Sequence, residues 1–389
     1  MTRVFFVTLS RSDYATLRPI ALAALKDHAF DTVLVAGGSH LLSRFGQSID
    51  SIRADGFSDL RIVDFLREDD DSDDDIAAAY ARAVSGFVEL LHADRPDYVF
   101  IVGDRWEMIA VATAASMLRI PVAHHSGGDI TQGSADNQTR YVLTTLSHLH
   151  FVALDDHKKR LTHMGEEESR ITVVGEPALT GLRDVAAKVP DIRTELGLKL
   201  DSSFVLATFH PTSYDALPPQ GQVEIFLRAL DMVADDIVLT APNPDPSSGS
   251  FYEILSSYAR RHPRVHMFEN LGRDRYYAAM ASARFMIGNS SSGLWEAPSF
   301  RLPVVNIGNR QKGRLHGQNV VHAELNIESI QSAIARVMQD SFCAALSASD
   351  NPYVREDGIN LMLSVLKRPY SRDELLAKVF VDPLETTKA

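Results

Sequence analysis

The amino-acid sequence predicts an α/β protein made of two Rossmann-like domains with doubly wound parallel sheets. Three observations favour this class. Short apolar runs rich in Val, Ile and Phe recur along the chain, they alternate with helix-length stretches, and the series begins again in the second half. Each run is apolar throughout and is followed by Gly, Ser, Asp or His, which is typical of parallel strands covered on both faces.

The first half contains the first series of predicted elements. Its predicted strands are Val4–Leu9, Thr32–Ala36, Tyr98–Val102, Val122–His124, Leu149–Leu154 and Ile171–Val174. Apolar residues at helical spacing predict helices over Ile76–Leu91 and Met108–Leu118.

The second half repeats the pattern without repeating the residues. Its predicted strands are Phe204–Phe209, Ile237–Thr240, Val265–Phe268, Phe285–Ile287 and Val304–Ile307. The predicted helices between and after them are Val223–Val233, Tyr252–Arg260, Tyr276–Ser282 and Ile327–Gln339.

Two series of elements predict two domains. We expect an N-terminal domain over residues 1–180, a C-terminal domain over residues 190–366 and a polar tail over residues 367–389. The join is expected near Pro177–Leu196, where Pro190 interrupts any helix. Ligands of such folds bind beyond the carboxyl ends of the strands, so we expect the site in a cleft between the two domains.

Composition excludes several classes of function. The 389 residues are 45% hydrophobic and carry 39 basic against 51 acidic side chains, a net charge of -12. A nucleic-acid partner normally needs a basic face and is therefore not expected. An anionic small ligand is still possible, because a few arginines and backbone N–H groups can hold a phosphate.

The same sequence bears on compartment and partners. The single cysteine, Cys343, can form neither an internal disulfide nor a cysteine metal cage. No secretory h-region and no apolar run near the roughly 18 residues of a membrane span is present. We expect a cytoplasmic homo-oligomer, a dimer or a tetramer, without a membrane partner.

The most informative local feature is the loop Gly288-Asn289-Ser290-Ser291-Ser292-Gly293 between a predicted strand and a helix start. Its backbone N–H groups and hydroxyls suit a phosphate or diphosphate. Small polar residues also cap helices without any ligand, and both interpretations stay open. Glu296 follows on the first helical turn, where it could accept hydrogen bonds from a ribose diol or simply be a surface residue.

Three neighbouring segments of the first half place carboxylates at one sheet edge. Asp104 follows one strand, Asp129 follows the next, and Asp136 and Arg140 come shortly after. Clustered carboxylates can have pKa values pushed apart, which yields a general acid and a general base. The alternative for each aspartate is a turn or helix cap.

Further polar residues end strands. Arg11 follows the first strand and His210 ends the first strand of the second domain, so both are expected at the same cleft. His124 and His125 are adjacent, so their side chains diverge and no histidine pair has ligand spacing. We therefore expect no metal.

At these motifs the sequence resembles the hydrolysing UDP-N-acetylglucosamine 2-epimerases of sialic-acid-type sugar pathways. The resemblance runs in family order through Ser10–Tyr14, Gly103–Met108, Gly127–Asp129, Ser147–Val152, Phe209–Thr212, Gly288–Gly293, Glu296–Phe300, Asn306–Gly308 and Arg310–Arg314. It implies a GT-B architecture that binds a UDP-sugar. It also implies removal of the C2 proton, elimination of UDP to a glycal, and hydration to the free 2-epimer, without cofactor or metal.

The resemblance also implies roles for individual residues. Asp104 matches a catalytic aspartate, with Asp129, Asp136, Arg140 and His210 as further catalytic candidates. UDP-binding positions are matched by Arg11, Arg105, His210, Ser290, Ser291, Glu296 and Arg310.

Three positions depart from the family pattern. Asp129 stands where glutamate is usual, Asn137 where a second acid is common, and Tyr141 where the family has histidine. These departures indicate a different UDP-sugar, such as a 6-deoxy diamino sugar, or altered C2 chemistry. The alternatives are a non-hydrolysing UDP-sugar 2-epimerase, a GT-B glycosyltransferase and a non-catalytic nucleotide-sugar-binding protein.

Overall fold

The structure is a computed structural model. It describes residues 1–46, 48–57, 59–70, 72–131, 136–210, 212, 216–241 and 248–382, with the backbone alone for 248–251. These residues divide into two compact units, described separately below. None of the described helices is long and apolar enough to cross a membrane.

Parallel strands form the centre of each unit. In chain order the strands are β1 (Thr2–Thr8), β2 (Phe30–Gly37), β3 (Leu60–Val63), β4 (Tyr98–Val102), β5 (Val122–His125), β6 (Leu149–Val152), β7 (Ile171–Val173), β8 (Phe204–Thr208), β9 (Asp236–Thr240), β10 (Val265–Phe268), β11 (Met286–Gly288), β12 (Val304–Ile307) and β13 (Val320–Ala323).

Helices connect and cover the strands. The α-helices are α1 (Arg11–Leu25), α2 (Ile49–Ala54), α3 (Asp73–Ala93), α4 (Trp106–Met117), α5 (Asp136–Leu146), α6 (Asp155–His163), α7 (Leu182–Ala186), α8 (Ile192–Glu195), α9 (Pro219–Asp231), α10 (Ser248–Arg261), α11 (Gly272–Ser282), α12 (Ser292–Trp295), α13 (Ile327–Val337), α14 (Asp340–Leu346), α15 (Gly358–Leu366) and α16 (Arg372–Leu376). Short 3₁₀ turns lie at Gly38–Leu41, Ser43–Phe45, Glu168–Arg170, Pro177–Leu179 and Ala297–Phe300.

Unit 1 contains a seven-stranded parallel sheet in the order β3-β2-β1-β4-β5-β6-β7. Its interior strand β1 is buried on both faces, with Val4 and Phe6 in one core and Phe5 and Val7 in the other. Because successive side chains of a strand point to opposite faces, this explains the uninterrupted apolar run in the sequence.

Residues 353–382 also belong to unit 1. Met362 and Leu366 of α15 lie in the same core as Val4 of β1. The contact is close, because a β-carbon added at Gly358 would lie 1.9 Å from the carbonyl oxygen of Val174. Residues 353–366 therefore lie in unit 1, whereas the sequence prediction assigned them to the C-terminal domain.

Unit 2 contains the six-stranded parallel sheet β10-β9-β8-β11-β12-β13 and spans residues 181–352 together with the short segment at Ile130 and Thr131. In both sheets the first strand along the chain lies in the interior. The next two strands lie on one side of it, and the later strands lie on the other side. The direction reverses between β1 and β4 in unit 1 and between β8 and β11 in unit 2. Such reversal points are where ligands bind in doubly wound sheets.

Candidate active site

The reversal point of unit 1 is formed by the loops after β1 and β4. Ser10 caps α1, and its hydroxyl accepts a hydrogen bond from the Asp13 backbone N–H at 3.4 Å. Gly103 turns the chain after β4 with a φ of 82°, a conformation that glycine adopts without strain. Arg11 is exposed on the first turn of α1, and among the described residues it forms no hydrogen bond or ion pair with the other candidates.

A buried arginine joins the loops after β4 and β5. Arg140 of α5 is 2% exposed, and its guanidinium donates to the Asp104 carboxylate and, at 2.8 Å, to the backbone oxygen of Asp129. We call Asp104, Asp129, Asp136 and Arg140 the carboxylate cluster. The first two aspartates and Arg140 are therefore in one place, as the sequence predicted, although their roles stay predictions.

Asp136, the remaining member of the carboxylate cluster, is the first described residue of α5 and lies near Arg105. Arg105 precedes α4 and donates to the buried Glu107 at 2.9 Å. The charge of Glu107 is the main cause that raises the pKa of Arg105, and Asp13 and Asp136 add to it. Arg105 is thus a fixed cation at the reversal point of unit 1.

Asp13 was not singled out by sequence analysis as a site residue. It is 4% exposed, and burial raises the pKa of its carboxyl to about 7, against the opposing charge of Arg105. One oxygen accepts the Leu9 backbone N–H at 3.2 Å. The spacing Ser10-Arg11-Ser12-Asp13 indicates only a capped helix start, and no sequence signal indicates that this carboxyl is buried.

The reversal point of unit 2 is organised by Asn289. Its side-chain amide exchanges two hydrogen bonds with the backbone of His210, each 2.7 Å long. Its backbone oxygen accepts hydrogen bonds from Arg310 at 3.1 Å and Gln311 at 2.9 Å. We call these four residues the asparagine cluster. Asn289 and Gln311 were quoted in sequence motifs but not predicted as site residues.

Gly288 allows the loop after β11 to approach β8. Its φ is 140°, and an added β-carbon would lie 1.8 Å from the Thr208 carbonyl oxygen. The hydroxyl of Ser290 forms a hydrogen bond with the hydroxyl of Ser292 at 2.9 Å. The Ser292 hydroxyl forms a second hydrogen bond with the Tyr276 hydroxyl at 2.7 Å. The serine-rich loop is therefore held by its own hydroxyls and by α11.

Ser291 and Glu296 flank the short helix α12. Both are partly exposed, and Ser291 immediately precedes the helix. Glu296 lies near Tyr276. Burial raises the pKa of the Tyr276 phenol to about 12, and the charge of Glu296 adds to this effect. The two predicted UDP-binding residues are therefore accessible on the same segment as Ser290.

The imidazole of His210 is neutral. Burial lowers its pKa to about 3, and the nearby charge of Arg310 lowers it further. At neutral pH this ring can donate and accept one hydrogen bond each, but it carries no charge. Arg310 is the cation that accompanies it.

The two histidines that end β5 diverge as predicted. His124 Nε2 lies 2.8 Å from the Gly103 carbonyl oxygen, whereas His125 Nε2 lies 3.1 Å from that of Gly175. Among the described residues no three His, Cys, Asp or Glu side chains are grouped so that they could hold a metal ion.

A protein-family comparison decides the relationship. The family model described as UDP-N-acetylglucosamine 2-epimerase matches residues 23–367.

The chain belongs to the UDP-N-acetylglucosamine 2-epimerase family.

Sequence relatives support the same assignment for this epimerase. It is 32% identical over 383 residues to the GDP/UDP-N,N'-diacetylbacillosamine 2-epimerase (hydrolyzing) of Campylobacter jejuni, covering 98% of this chain and 99% of the relative. It is also 32% identical to the UDP-N,N'-diacetylbacillosamine 2-epimerase (hydrolyzing) of Legionella pneumophila, over 86% and 89% of the two chains. The predicted family and enzyme class are confirmed.

A solved structure agrees on the fold of the epimerase. The UDP-GlcNAc 2-epimerase of Neisseria meningitidis, bound to UDP-GlcNAc, matches with a TM-score of 0.79 at 17% identity, over 94% of this chain and 99% of that chain. Together with the two doubly wound sheets, this confirms the predicted GT-B-like α/β fold class.

Proposed function

We propose that this epimerase converts UDP-N,N'-diacetylbacillosamine, a 6-deoxy diamino UDP-sugar, to the free 2-epimer and UDP. The observation that carries this proposal is the 32% identity, over 98% of the chain, to a relative named for this hydrolysing reaction. Asp129, Asn137 and Tyr141, which depart from the pattern of the wider family, fit a changed sugar. The free product would serve a sialic-acid-type sugar pathway.

The first step of the proposed reaction is an elimination. A carboxylate of the carboxylate cluster takes the proton from C2, the C–H electron pair forms the C1=C2 double bond, and the C1–O bond breaks with its electrons on UDP. We assign proton transfer to Asp104 and Asp129. Arg140 holds the loops that carry both residues, so their separation is set by one buried side chain.

The second step is hydration of the glycal. The oxygen of water bonds to C1 as a hydroxyl while one water O–H bond breaks and its proton passes to a carboxylate of the cluster. A carboxyl group delivers a proton to C2 from the face opposite to the one that lost it, which inverts that centre. Two acid–base groups are needed because the proton leaves one face and arrives at the other. The cluster supplies them in Asp104 and Asp129, with Asp136 as a third carboxyl.

UDP is assigned to the asparagine cluster and the adjoining loop of unit 2. Departure of a diphosphate requires cationic and N–H groups that stabilise negative charge. Arg310 supplies the cation, and Ser290 and Ser291 supply hydroxyls and backbone N–H groups. Neutral His210 can donate a hydrogen bond to a phosphate oxygen, and Glu296 is assigned to the ribose hydroxyls.

The test is incubation with UDP-N,N'-diacetylbacillosamine, its GDP analogue or UDP-N-acetylglucosamine in D2O with EDTA, followed by NMR. We expect free 2-epimer with deuterium at C2, fastest from UDP-N,N'-diacetylbacillosamine and undiminished by EDTA. An epimer still attached to UDP would indicate a non-hydrolysing enzyme, and UDP release that needs an acceptor would indicate a transferase.

A substitution tests the proposed chemistry separately from binding. Asp104→Asn keeps the shape of the side chain but cannot take a proton. Turnover should fall by about 10²–10⁴-fold while UDP affinity changes only a few-fold. Full turnover by this variant would remove Asp104 from the mechanism.

A further inference from the structure

Helix α6 holds the turn that carries Asp129. Arg160 donates to the Gly128 carbonyl oxygen at 2.7 Å. Gly128 has a φ of 78°, and an added β-carbon would lie 2.6 Å from the His157 carbonyl oxygen. With the bond from Arg140 to the Asp129 backbone, the turn is fixed by side chains from two helices.

The same helix presents an imidazole to the Asp129 carboxylate. His157 is 3% exposed and Asp129 is 4% exposed. Nε2 of His157 lies 3.6 Å from Oδ1 of Asp129, which is longer than a hydrogen bond, so the two groups interact electrostatically. Nδ1, on the other side of the ring, has no hydrogen-bond partner among the described residues.

Burial keeps the ring of His157 neutral near pH 7. Burial lowers the pKa of His157 to about 4, the charge of Asp129 raises it, and the charges of Arg160, Arg140 and His125 lower it. A neutral imidazole carries one N–H. Because Nε2 faces a carboxylate, the tautomer with its hydrogen on Nε2 is favoured.

We propose that His157 is a positioning residue for Asp129: its Nε2–H orients the carboxylate that exchanges a proton with C2 of the sugar. The imidazole keeps its own proton throughout, and the proton that moves travels between C2 and Asp129. This inference rests on the acid–base role of Asp129 under the proposed function.

The short side chain of Asp129 is the reason why orientation by His157 matters. Aspartate is one methylene shorter than glutamate, so Asp129 has less reach with which to correct an error in its direction. A misplacement of about 1 Å in a reacting group can cost about 10²-fold in rate. A fixed donor next to the carboxylate limits that error.

The experiment compares His157→Gln with His157→Met. The glutamine amide nitrogen can occupy the place of Nε2, whereas methionine has similar length and no donor. We expect kcat to fall by about 10- to 10²-fold in the methionine variant and by less than about threefold in the glutamine variant. UDP affinity should stay within about twofold in both, because UDP is assigned to unit 2.

The isotope effect at C2 separates positioning from general damage. If Asp129 removes the C2 proton, the effect of C2-deuterated substrate on kcat should increase in His157→Met, and if Asp129 delivers the proton, the effect of D2O as solvent should increase instead. In either case the misplaced carboxyl group makes its proton transfer slower than the other steps. His157→Asn is the second variant if methionine prevents folding: its amide lies nearer the position of Nδ1, so it should be slow while His157→Gln is fast. Equal rates in the glutamine variant and in the methionine or asparagine variant would overturn the proposal.

A double variant distinguishes the positioning role of His157 from the acid–base role of Asp129. In an Asp129→Asn background, His157→Met should cause no further loss, because the carboxylate that it orients is gone. A loss that simply adds would mean a structural role and overturn the positioning role. If Asp129→Asn alone keeps the full rate, the proposed role of Asp129 fails instead.

Discussion

The side chain of Asn289 is hydrogen-bonded to the backbone of His210 in both directions, as donor and as acceptor, at 2.7 Å each. Asn289 is 2% exposed and follows β11, whereas His210 follows β8. The buried side-chain amide of Asn289 therefore joins the loops after β8 and β11 at the reversal point of unit 2. The backbone oxygen of Asn289 also accepts hydrogen bonds from the loop after β12.

Asn289→Asp is expected to weaken UDP binding by more than about tenfold. The new carboxylate oxygen would face the His210 carbonyl oxygen, and a buried acceptor would lose its donor, which typically costs about 1–3 kcal/mol. Calorimetry with UDP measures the change. Asn309→Asp, an exposed substitution in the loop after β12, is the matched control, and equal affinities in the two variants would contradict the prediction.

Changing Ser290 and Ser291 together to leucine should weaken UDP binding by more than about tenfold, because bulk and loss of hydroxyls both oppose a diphosphate. The double alanine variant removes only the hydroxyls and should lose less. Unchanged UDP affinity in the leucine variant would reject this placement of the diphosphate.

Arg140→Lys is expected to lower kcat by about 10²-fold with UDP affinity within a few-fold. Lysine keeps the charge but lacks the planar fork with which Arg140 reaches Asp104 and the Asp129 carbonyl together. Steady-state kinetics and UDP calorimetry measure the two effects. Wild-type kcat in both this variant and Arg140→Met would show that the bridge does not matter for catalysis.

Asp129→Glu tests whether the shorter acid is matched to the sugar. The longer side chain should reduce turnover of UDP-N,N'-diacetylbacillosamine, since the carboxylate would reach about 1 Å too far. Turnover of UDP-N-acetylglucosamine should fall less or increase. Rates are compared on both substrates, with Asp129→Asn as the variant that cannot accept a proton. Normal rates in both variants would leave Asp104 and Asp136 as the candidates.

Asp13→Asn should change how stability depends on pH. The folded state raises the pKa of Asp13 from 3.8 to about 7, so it binds this proton more tightly than the unfolded state does. The Asp13 proton therefore contributes up to about 4 kcal/mol to the free energy of unfolding. This contribution is complete below about pH 4 and is lost as the pH rises through about 7.

The measurement is the difference in unfolding free energy between wild type and Asp13→Asn at pH 5 and pH 8. Buried His40 and His124, whose pKa values are lowered, act with the opposite sign but are present in both proteins and cancel. The wild type should lose stability relative to the variant at pH 8. A difference that does not vary with pH would contradict the buried, protonated Asp13.

Sequence patterns predicted every interior strand of the two described sheets, because these strands are covered on both faces, and also the edge strands β7 and β10. Tyr98–Val102, Val265–Phe268 and Val304–Ile307 were predicted with their observed bounds. Two strands were missed, β3 and β13, and both lie at a sheet edge. Arg61 in β3 and His322 in β13 interrupt the apolar run, because an edge strand covers less of the core.

The positions of some residues of the candidate site could be predicted from the sequence, because their residue type alone suggests a chemical role, and those roles stay predictions. Asp104 and Arg310 lie in the loops after β4 and β12, and Arg140 lies on α5, the helix that follows β5. The order of parallel strands brings such residues to one edge of each sheet. Asn289 and His157 were not predicted, since their importance lies in which atoms they face. Only the folded backbone sets those distances.

The return of residues 353–382 to unit 1 has a consequence for synthesis on the ribosome. Unit 2 lies largely in one stretch, residues 181–352, which emerges before α15 exists. The core around Val4 is incomplete until Met362 and Leu366 arrive. The half of the molecule that is made first is therefore the half that finishes folding last, and its unfilled core must be kept from other chains while the second half is translated.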